Sequence, residues 1–448
     1  MKLGIVGGGP AGYLGALKAA ILGIDVTLFE KDKIGGVCVN EGCIPVKSLI
    51  KIVSNIENIK RLKEKGVNFE GFKFDFKEIL KTPYLSTKRL QSGIMLLLRK
   101  RNVKIVNSMA KIISDNKIIS NNEEYTFDKI LIATGSMPKK PPFKVDNFWT
   151  SREALFSQEL PQRICIVGGG VIGLEFAYIY RTLGSEVEVF EIMEEVLPNE
   201  DREFSAILRK ELEKMGIRFH LKTKVFEINE KNGKKEIVFE EGGLKNLEFD
   251  KVMISVGREL SKDGIPDFIQ IERGFIKVDD ALRTNIKNIF AAGDCIGGNM
   301  LAHTAYYESE IAIENIIGEK KSFDESVVPR VVYTKPEFAS CGETEEGLKL
   351  KGISYKKEIF KFGGNGRAVA EDKTAGGIKI LFDEKGYILG ASMVGENVSE
   401  LITIISVFMK NRIKPADSID LIFPHPTYSE GIKEVLLKSI GIPLHSID

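Results

Sequence analysis

The sequence predicts an α/β protein made of two doubly wound parallel modules and a C-terminal α+β domain, and three observations predict it. A strand, glycine turn, helix and second strand at 3–30 recur in the same order at 164–191. Each unit is completed later by a short, nearly all-apolar strand ending in glycine, ILIATG at 130–135 and VMISVG at 252–257. From about Phe323 the pattern changes to strands around the turn Asp383–Gly386 and helical periodicity from Ser399 to Lys410.

Size agrees with that division, since 448 residues is about three domains at roughly 150 residues each. Hydrophobic content of 43% and charged content of 28% are those of a globular chain. With 64 basic and 63 acidic residues the net charge is +1, so no global field favours nucleic acid or an anionic membrane. Met1 leads straight into a strand with no leader pattern, and no stretch reaches the roughly 18 apolar residues of a membrane span. Five cysteines are too few for a disulfide scaffold, so the expected setting is a reducing cytoplasm.

In chain order, the first unit runs from an apolar strand through GGGPAG and a helix to Asp25–Phe29 and Glu30. Residues 50–125 read as mostly helical, with a hairpin in the polar stretch Ser114–Tyr125. The second unit has ICIVGGG, Val171-Ile172-Gly173, a helix, and Glu186–Phe190 ending in Glu191. Gly7 stands 23 residues before Glu30, and Gly168 stands 23 before Glu191. IFAAGDC at 289–295 is a further buried strand that fits the first module. The expected domains are therefore 1–145 with 258–322, then 146–257, then 323–448.

The glycines carry chemistry because of their spacing. Gly7, Gly9 and Gly12 suit, in turn, a tight bend, close approach of a pyrophosphate, and close packing of helix on strand. The helix N-terminus then presents free N–H groups to phosphate, and Glu30 stands where a carboxylate meets a ribose. Gly168, Gly170, Gly173 and Glu191 repeat the arrangement. Between Thr182 and Asp201 there are seven acids and no Lys or Arg, so the second module is expected to accept NAD and reject a 2′-phosphate.

Cys38 and Cys43 follow Gly35-Gly36 in GGVCVNEGCIPVK, with Cys43 at the start of a helix expected over Ile44 to Ile56. The helix dipole there favours a thiolate. No second Cys/His pair at zinc-like spacing follows, so a redox dithiol is expected and no metal. Near the C-terminus, two prolines hold His425 in FPHPTYSE, a placement suited to a proton acceptor for a thiol. Glu430 reads equally as a partner of His425 or as part of a helix capping box with Thr427. His220 and His445 read as structural or solvated, and spacing does not assign His303. Cys165 and Cys341 read as small core residues.

Together the segments GGGPAGY, GGVCVNEGCIPVK, LIATGSMP, GGGVIGLEFA, IFAAGDCIGGNMLAHTA, NGRAVA and HPTYSE resemble the pyridine nucleotide-disulfide oxidoreductases of class I over nearly the whole chain. Within that family the nearest group is the dihydrolipoamide dehydrogenases. The resemblance implies Rossmann-like FAD and NAD domains and a C-terminal dimerisation domain. It implies FAD on Gly7, Gly9, Gly12, Glu30, Lys47, Gly135 and Asp294, with Glu175 paired to Lys47. It implies that Cys38 meets a dithiol substrate and Cys43 the flavin, and that His425, oriented by Glu430, serves the cysteines of the other subunit of a homodimer. The implied partner is the lipoyl domain of a 2-oxoacid dehydrogenase or glycine cleavage complex. The alternatives are an NADH-dependent reductase of another low-molecular-weight disulfide and a redox-inactive FAD-binding scaffold subunit.

Two positions depart from the pattern. Phe423 stands where those enzymes usually have a further histidine. Glu41 lies between the cysteines, where a carboxylate could raise the neighbouring thiol pKa by repulsion or alter substrate choice.

Overall fold

The computed structural model describes residues 1–445. Its first module is a five-stranded parallel sheet in the order Ile289–Ala291, Lys129–Ile132, Lys2–Val6, Asp25–Phe29, Lys104–Val106. Leu3, Ile5, Leu28, Ile130, Leu131 and Ile132 are fully buried, as expected of strands covered on both faces. Helix Pro10–Ile21 begins with proline, whose missing N–H has no partner to lose in a first turn. IFAAGDC joins this sheet and not the second one.

Helices fill 43–64, 76–79 and 81–100. Beyond Lys100 the helical reading of 50–125 gives way to Lys104–Val106 and a three-stranded antiparallel sheet. The expected hairpin is there as Lys117–Ser120 against Glu123–Thr126. Asn121 and Asn122 turn it with φ of 52° and 61°, the conformation a two-residue hairpin loop needs and asparagine tolerates.

The second module is a four-stranded parallel sheet in the order Arg218–His220, Glu186–Phe190, Arg163–Val167, Lys251–Ile254. An antiparallel meander, Lys224–Lys231, Lys234–Glu240 and Leu244–Phe249, packs on it through Phe190, Phe239 and Phe249. Strand Lys144–Val145 pairs with this meander. Ser136–Pro138 and Arg258–Leu260 pair where the chain crosses between modules.

The C-terminal sheet is antiparallel in the order Arg330–Val332, Glu337–Gly342, Ile388–Gly395, Gly377–Phe382, Lys356–Lys361. Helices Val398–Lys410 and Glu430–Ser439 cover it. Cys341 lies in this core and Cys165 in that of the second module.

A buried ion cluster joins the second module to the C-terminal sheet. The Lys379 Nζ lies 2.8 Å from Asp201, 2.8 Å from Glu203 and 2.7 Å from Glu345, with Lys379 and Asp201 each only 1% exposed. Lys379→Met leaves buried carboxylates facing one another, and is expected to cost about 3–5 kcal/mol. The check is the denaturant midpoint of the purified protein, which should fall clearly below that of the parent.

Candidate active site

The redox loop sits between the two helices it helps to build. Gly35 enters it at φ 100°, where an added Cβ would lie 2.6 Å from Val39. Cys38 lies in the short helix Gly36–Asn40, and Cys43 is the first residue of Cys43–Glu64. Asn40 pins the loop by donating to the Gly36 and Ile34 carbonyls at 2.9 and 3.1 Å.

Cys38 and Cys43 are free thiols in hydrogen-bonding contact with each other, and that contact divides their roles. Cys43 is pulled below the ordinary thiol range, first by the hydrogen bond from Cys38 and then, against burial, by the Lys47 charge. Cys38 is pushed up by the same bond and by burial. Both shifts favour charge on Cys43 over Cys38.

Lys47, one turn into the same helix, meets both oxygens of Glu175 at 2.8 Å. Glu175 is buried in helix Val171–Leu183 of the second module and also accepts the Tyr333 N–H at 3.2 Å. Burial works against the Lys47 charge, but Glu175 outweighs it and raises the pKa. A cation is thus held beside Cys43 by a carboxylate from another module.

Glu41 has a partner that its position in sequence does not show. It pairs with Arg152 at 3.2 Å, and the groups that raise Cys38 are Cys43, burial and Asp294. Arg152, distant in sequence, faces the carboxylate and offsets its charge. Phe423 likewise packs onto the core of its own C-terminal domain.

His425 and Glu430 are 2.9 Å apart, Nδ1 to Oε1. The other oxygen of Glu430 accepts the Thr427 N–H at 2.8 Å, so both readings of Glu430 hold in one carboxylate. The capping box itself is incomplete, because the helix starts at Glu430 and Thr427 Oγ1 donates instead to the Pro424 carbonyl. Asn365 donates to the Thr427 carbonyl at 2.9 Å and Tyr428 donates to Glu371 at 3.0 Å, anchoring the loop from the NGRAVA segment. The imidazole is 76% exposed. Among the described residues, His425 is not one of the principal groups acting on Cys38 or Cys43.

The other histidines have structural partners. His220 lies between Glu188 and Glu241 and stacks on Phe190, His303 bonds the Pro329 carbonyl, and His445 bonds Glu434.

The residues of both glycine turns fit dinucleotides. A Cβ on Gly7 would lie 2.2 Å from the Ala133 carbonyl oxygen, and one on Gly12 would lie 1.8 Å from that of Gly7. Gly135, at φ 73°, opens onto free space. Buried hydroxyls of Thr134 and Thr304, in segments bordering this turn, have no hydrogen-bond partner among the described residues, as expected where a polar ligand completes the site. In the second module Gly168 and Gly173 repeat the close approaches, at 2.3 and 2.0 Å, and Gly170 is open.

The acids are set alike. Glu30 accepts the Gly8 and Asp32 N–H groups at 2.6 and 2.8 Å, and Glu191 accepts those of Gly169 and Met193 at 2.7 and 2.8 Å. Beside Glu191, Ile192 and Met193 are 63% and 49% exposed, an apolar surface of the kind an adenine covers. Folding brings Lys222 and Arg202 onto Glu194 and Arg209 onto Glu195, so these cations are already neutralised.

Sequence spacing missed several residues. Arg258 donates to the hydroxyl and carbonyl of Ser136 at 2.6 and 2.8 Å and lies 3.7 Å from Asp294, whose other contact is the Ser136 hydroxyl at 2.5 Å. Only the crossing of two strands brings it there, and no local pattern marks it. Its charge also reaches Cys43 and Glu41. Tyr333 lies under Lys47, with the ammonium 4.8 Å from the ring centroid.

Comparison with known proteins gives a matching picture. Residues 1–309 match the family described as pyridine nucleotide-disulphide oxidoreductase, and residues 328–436 match that family's dimerisation domain. The chain is 33% identical over its full length to a dihydrolipoyl dehydrogenase of Bacillus subtilis, also covered in full. It is 35% identical to that of Vibrio cholerae, covering 96% of this chain and 93% of the relative. Among solved structures it is similar to LpdA from Mycobacterium tuberculosis, with TM-score 0.91, 26% identity, and 98% and 99% of the two chains covered. It is also similar to RclA, an HOCl-induced flavoprotein disulfide reductase from Escherichia coli, with TM-score 0.87, 27% identity, and 97% and 99% covered.

Proposed function

The chain belongs to the pyridine nucleotide-disulphide oxidoreductase family, and from that premise we propose that it is an NAD-dependent dihydrolipoamide dehydrogenase. The observation that carries this reading is the placement of the thiol pair, with Cys43 at the start of Cys43–Glu64 and Lys47 one turn on, its ammonium held by both oxygens of Glu175. The relatives named dihydrolipoyl dehydrogenase support the substrate.

On this reading the residues at 1–145 and 258–322 hold FAD, through Gly7, Gly9, Gly12, Glu30, Lys47, Gly135 and Asp294. Those at 146–257 hold NAD through Gly168, Gly170, Gly173 and Glu191, and those at 323–448 form the subunit interface. Bound FAD supplies the two-electron link between the dithiol and NAD.

The protein groups then have defined tasks. With Cys38 and Cys43 oxidised, a substrate thiol loses its proton to His425 and its sulfur attacks Cys38 Sγ. The Cys38–Cys43 bond breaks and Cys43 leaves as the thiolate. The second substrate thiol attacks the substrate sulfur of the mixed disulfide, which forms the substrate disulfide and releases Cys38; its proton passes to the departing Cys38, while His425 keeps the first. Substrate has lost two electrons and the cysteine pair has gained them. Lys47, held by Glu175, stabilises the Cys43 thiolate, and Glu430 fixes the imidazole with its Nδ1 occupied and Nε2 free.

His425 does this across a homodimer. Its exposure, together with the exposed apolar run Ile419, Leu421 and Ile422, the last 94% exposed, supports a partner surface over this loop. The lipoyl domain of a 2-oxoacid dehydrogenase or glycine cleavage complex is the proposed carrier of the dithiol.

Steady-state assays with dihydrolipoamide test the reading. NAD is expected to exceed NADP in kcat/KM by about a hundredfold or more, since a 2′-phosphate would meet Glu191 with no free cation. Equal use of the two nucleotides, or no turnover of dihydrolipoamide, overturns it.

A further inference from the structure

The two dinucleotide modules repeat one backbone arrangement at the end of their second strand and fill it with different side chains. In the first, Phe29 pairs in register with Val106, the Gly7 N–H donates to the Phe29 carbonyl at 2.8 Å, and the Glu30 N–H donates to the Val106 carbonyl at 3.0 Å. In the second, Phe190 pairs with His220, the Gly168 N–H donates to the Phe190 carbonyl at 2.8 Å, and the Glu191 N–H donates to the His220 carbonyl at 2.9 Å. A titratable ring thus stands behind Glu191 where a buried apolar side chain stands behind Glu30. No step above uses it.

The ring is held at both edges and on one face. Nε2 lies 2.9 Å from Glu188 Oε2 and Nδ1 lies 3.2 Å from Glu241 Oε1. Its face stacks on Phe190, with centroids 4.3 Å apart and planes 8° from parallel. A neutral imidazole has one N–H, so it can donate to one of these carboxylates and must turn a lone pair on the other. Only the imidazolium donates to both.

The neighbouring cations already face the same two acids. Arg218 and Arg163 reach Glu188 Oε1 at 2.5 and 3.2 Å, and Lys245 reaches Glu241 Oε2 at 2.8 Å. Burial works against a charge on His220, but Glu188 and Glu241 outweigh it and raise the pKa. The charged ring ties together strand Glu186–Phe190, strand Arg218–His220 and the turn at Glu241. The same two strands carry the loop that presents Glu191: Thr223 N–H donates to the Glu191 carbonyl at 2.9 Å, and Lys222 N–H to that of Met193 at 3.0 Å.

We propose that His220 is a positioning residue for the nucleotide site of the second module: its imidazolium form clamps the strand end that carries Glu191, and the adenosine half of the nucleotide binds the clamped form more tightly. This deepens the proposed function and rests on Glu191 meeting the ribose of NAD. When the ring loses its proton, one nitrogen faces a carboxylate lone pair to lone pair and the clamp opens at that edge. The contribution to affinity is therefore complete below the ordinary histidine range and is lost as pH rises through the raised value.

The test is calorimetric titration of the FAD-loaded protein with ADP-ribose from about pH 6 to about pH 9. ADP-ribose carries the adenosine and pyrophosphate of NAD without the nicotinamide, so neither hydride transfer nor the thiols enter the reading. In the parent the Kd should rise by about threefold or more across that range. His220→Val installs the residue that the first module has at this place, and His220→Phe keeps a ring against Phe190. Each should bind with a Kd constant to within about 1.5-fold across the range. Glu241→Gln, at an exposed position, removes a negative charge from the ring edge and should move the midpoint of the parental curve to lower pH.

A parental Kd constant to within about 1.5-fold overturns the proposal. So does a pH dependence that survives in both His220 variants, which would leave His220 a purely structural role, and so does an unmoved midpoint in Glu241→Gln. Glu191→Ala tests the premise separately. If it binds ADP-ribose as tightly as the parent at about pH 6, Glu191 does not meet the nucleotide, and the reading of the second module falls together with the clamp.

Discussion

Cys38→Ser is expected to lower dihydrolipoamide oxidation by about a thousandfold or more while FAD stays bound. Serine keeps the size of the side chain, yet it cannot form the mixed disulfide. The Cys43 thiolate does not depend on Cys38 alone, because Lys47 remains beside it, held by both oxygens of Glu175. The glycines that approach the backbone of the first module are untouched, so flavin content should match the parent. The checks are anaerobic steady-state turnover, the flavin spectrum and ferricyanide reduction by NADH. Turnover within about tenfold of the parent would show that Cys38 is not the sulfur that meets the substrate.

The second large effect concerns His425. His425→Ala should lower kcat with dihydrolipoamide by about a hundredfold or more, the range for loss of a general base. Thiol pKa values lie well above neutrality, so without an acceptor few substrate thiols ionise. A mixing experiment asks which subunit the histidine serves. Purified Cys38→Ser and His425→Ala chains, dissociated together and reassembled, give dimers about half of which are mixed. If His425 acts on the partner's cysteines, each mixed dimer has one intact site, and activity returns to about a quarter of the parental value. If His425 acts on its own chain, every site carries a lesion and nothing returns. The exposed imidazole, with Glu430 its hydrogen-bond partner within the chain, is the reason to expect recovery.

Much of the fold was legible because its signals are local. Gly7 and Gly168 must bend where no Cβ fits, and the acids 23 residues on close the same backbone loop in each module. The cysteine pair was legible for a similar reason, since five residues bring both thiols to one helix N-terminus. Glu41 shows the limit of such reasoning. Its neighbours in sequence suggested a repulsive charge, but its neighbour in space is Arg152. Phe423 is a similar case, because a departure in sequence became core packing once the C-terminal sheet was formed.

The sequence by itself determined the two dinucleotide modules, the C-terminal domain, the cysteine pair and the acid that closes each glycine turn, because each depends on residues a few turns apart along one chain. Only the tertiary structure decided that Glu175 holds Lys47 beside Cys43, that Arg152 faces Glu41, how Glu430 divides its two oxygens, and that Arg258 meets Ser136 and Asp294. Two of those contacts join segments 128 and 122 residues apart. Coulomb energy and desolvation depend on distance through the folded protein, not on separation along the chain.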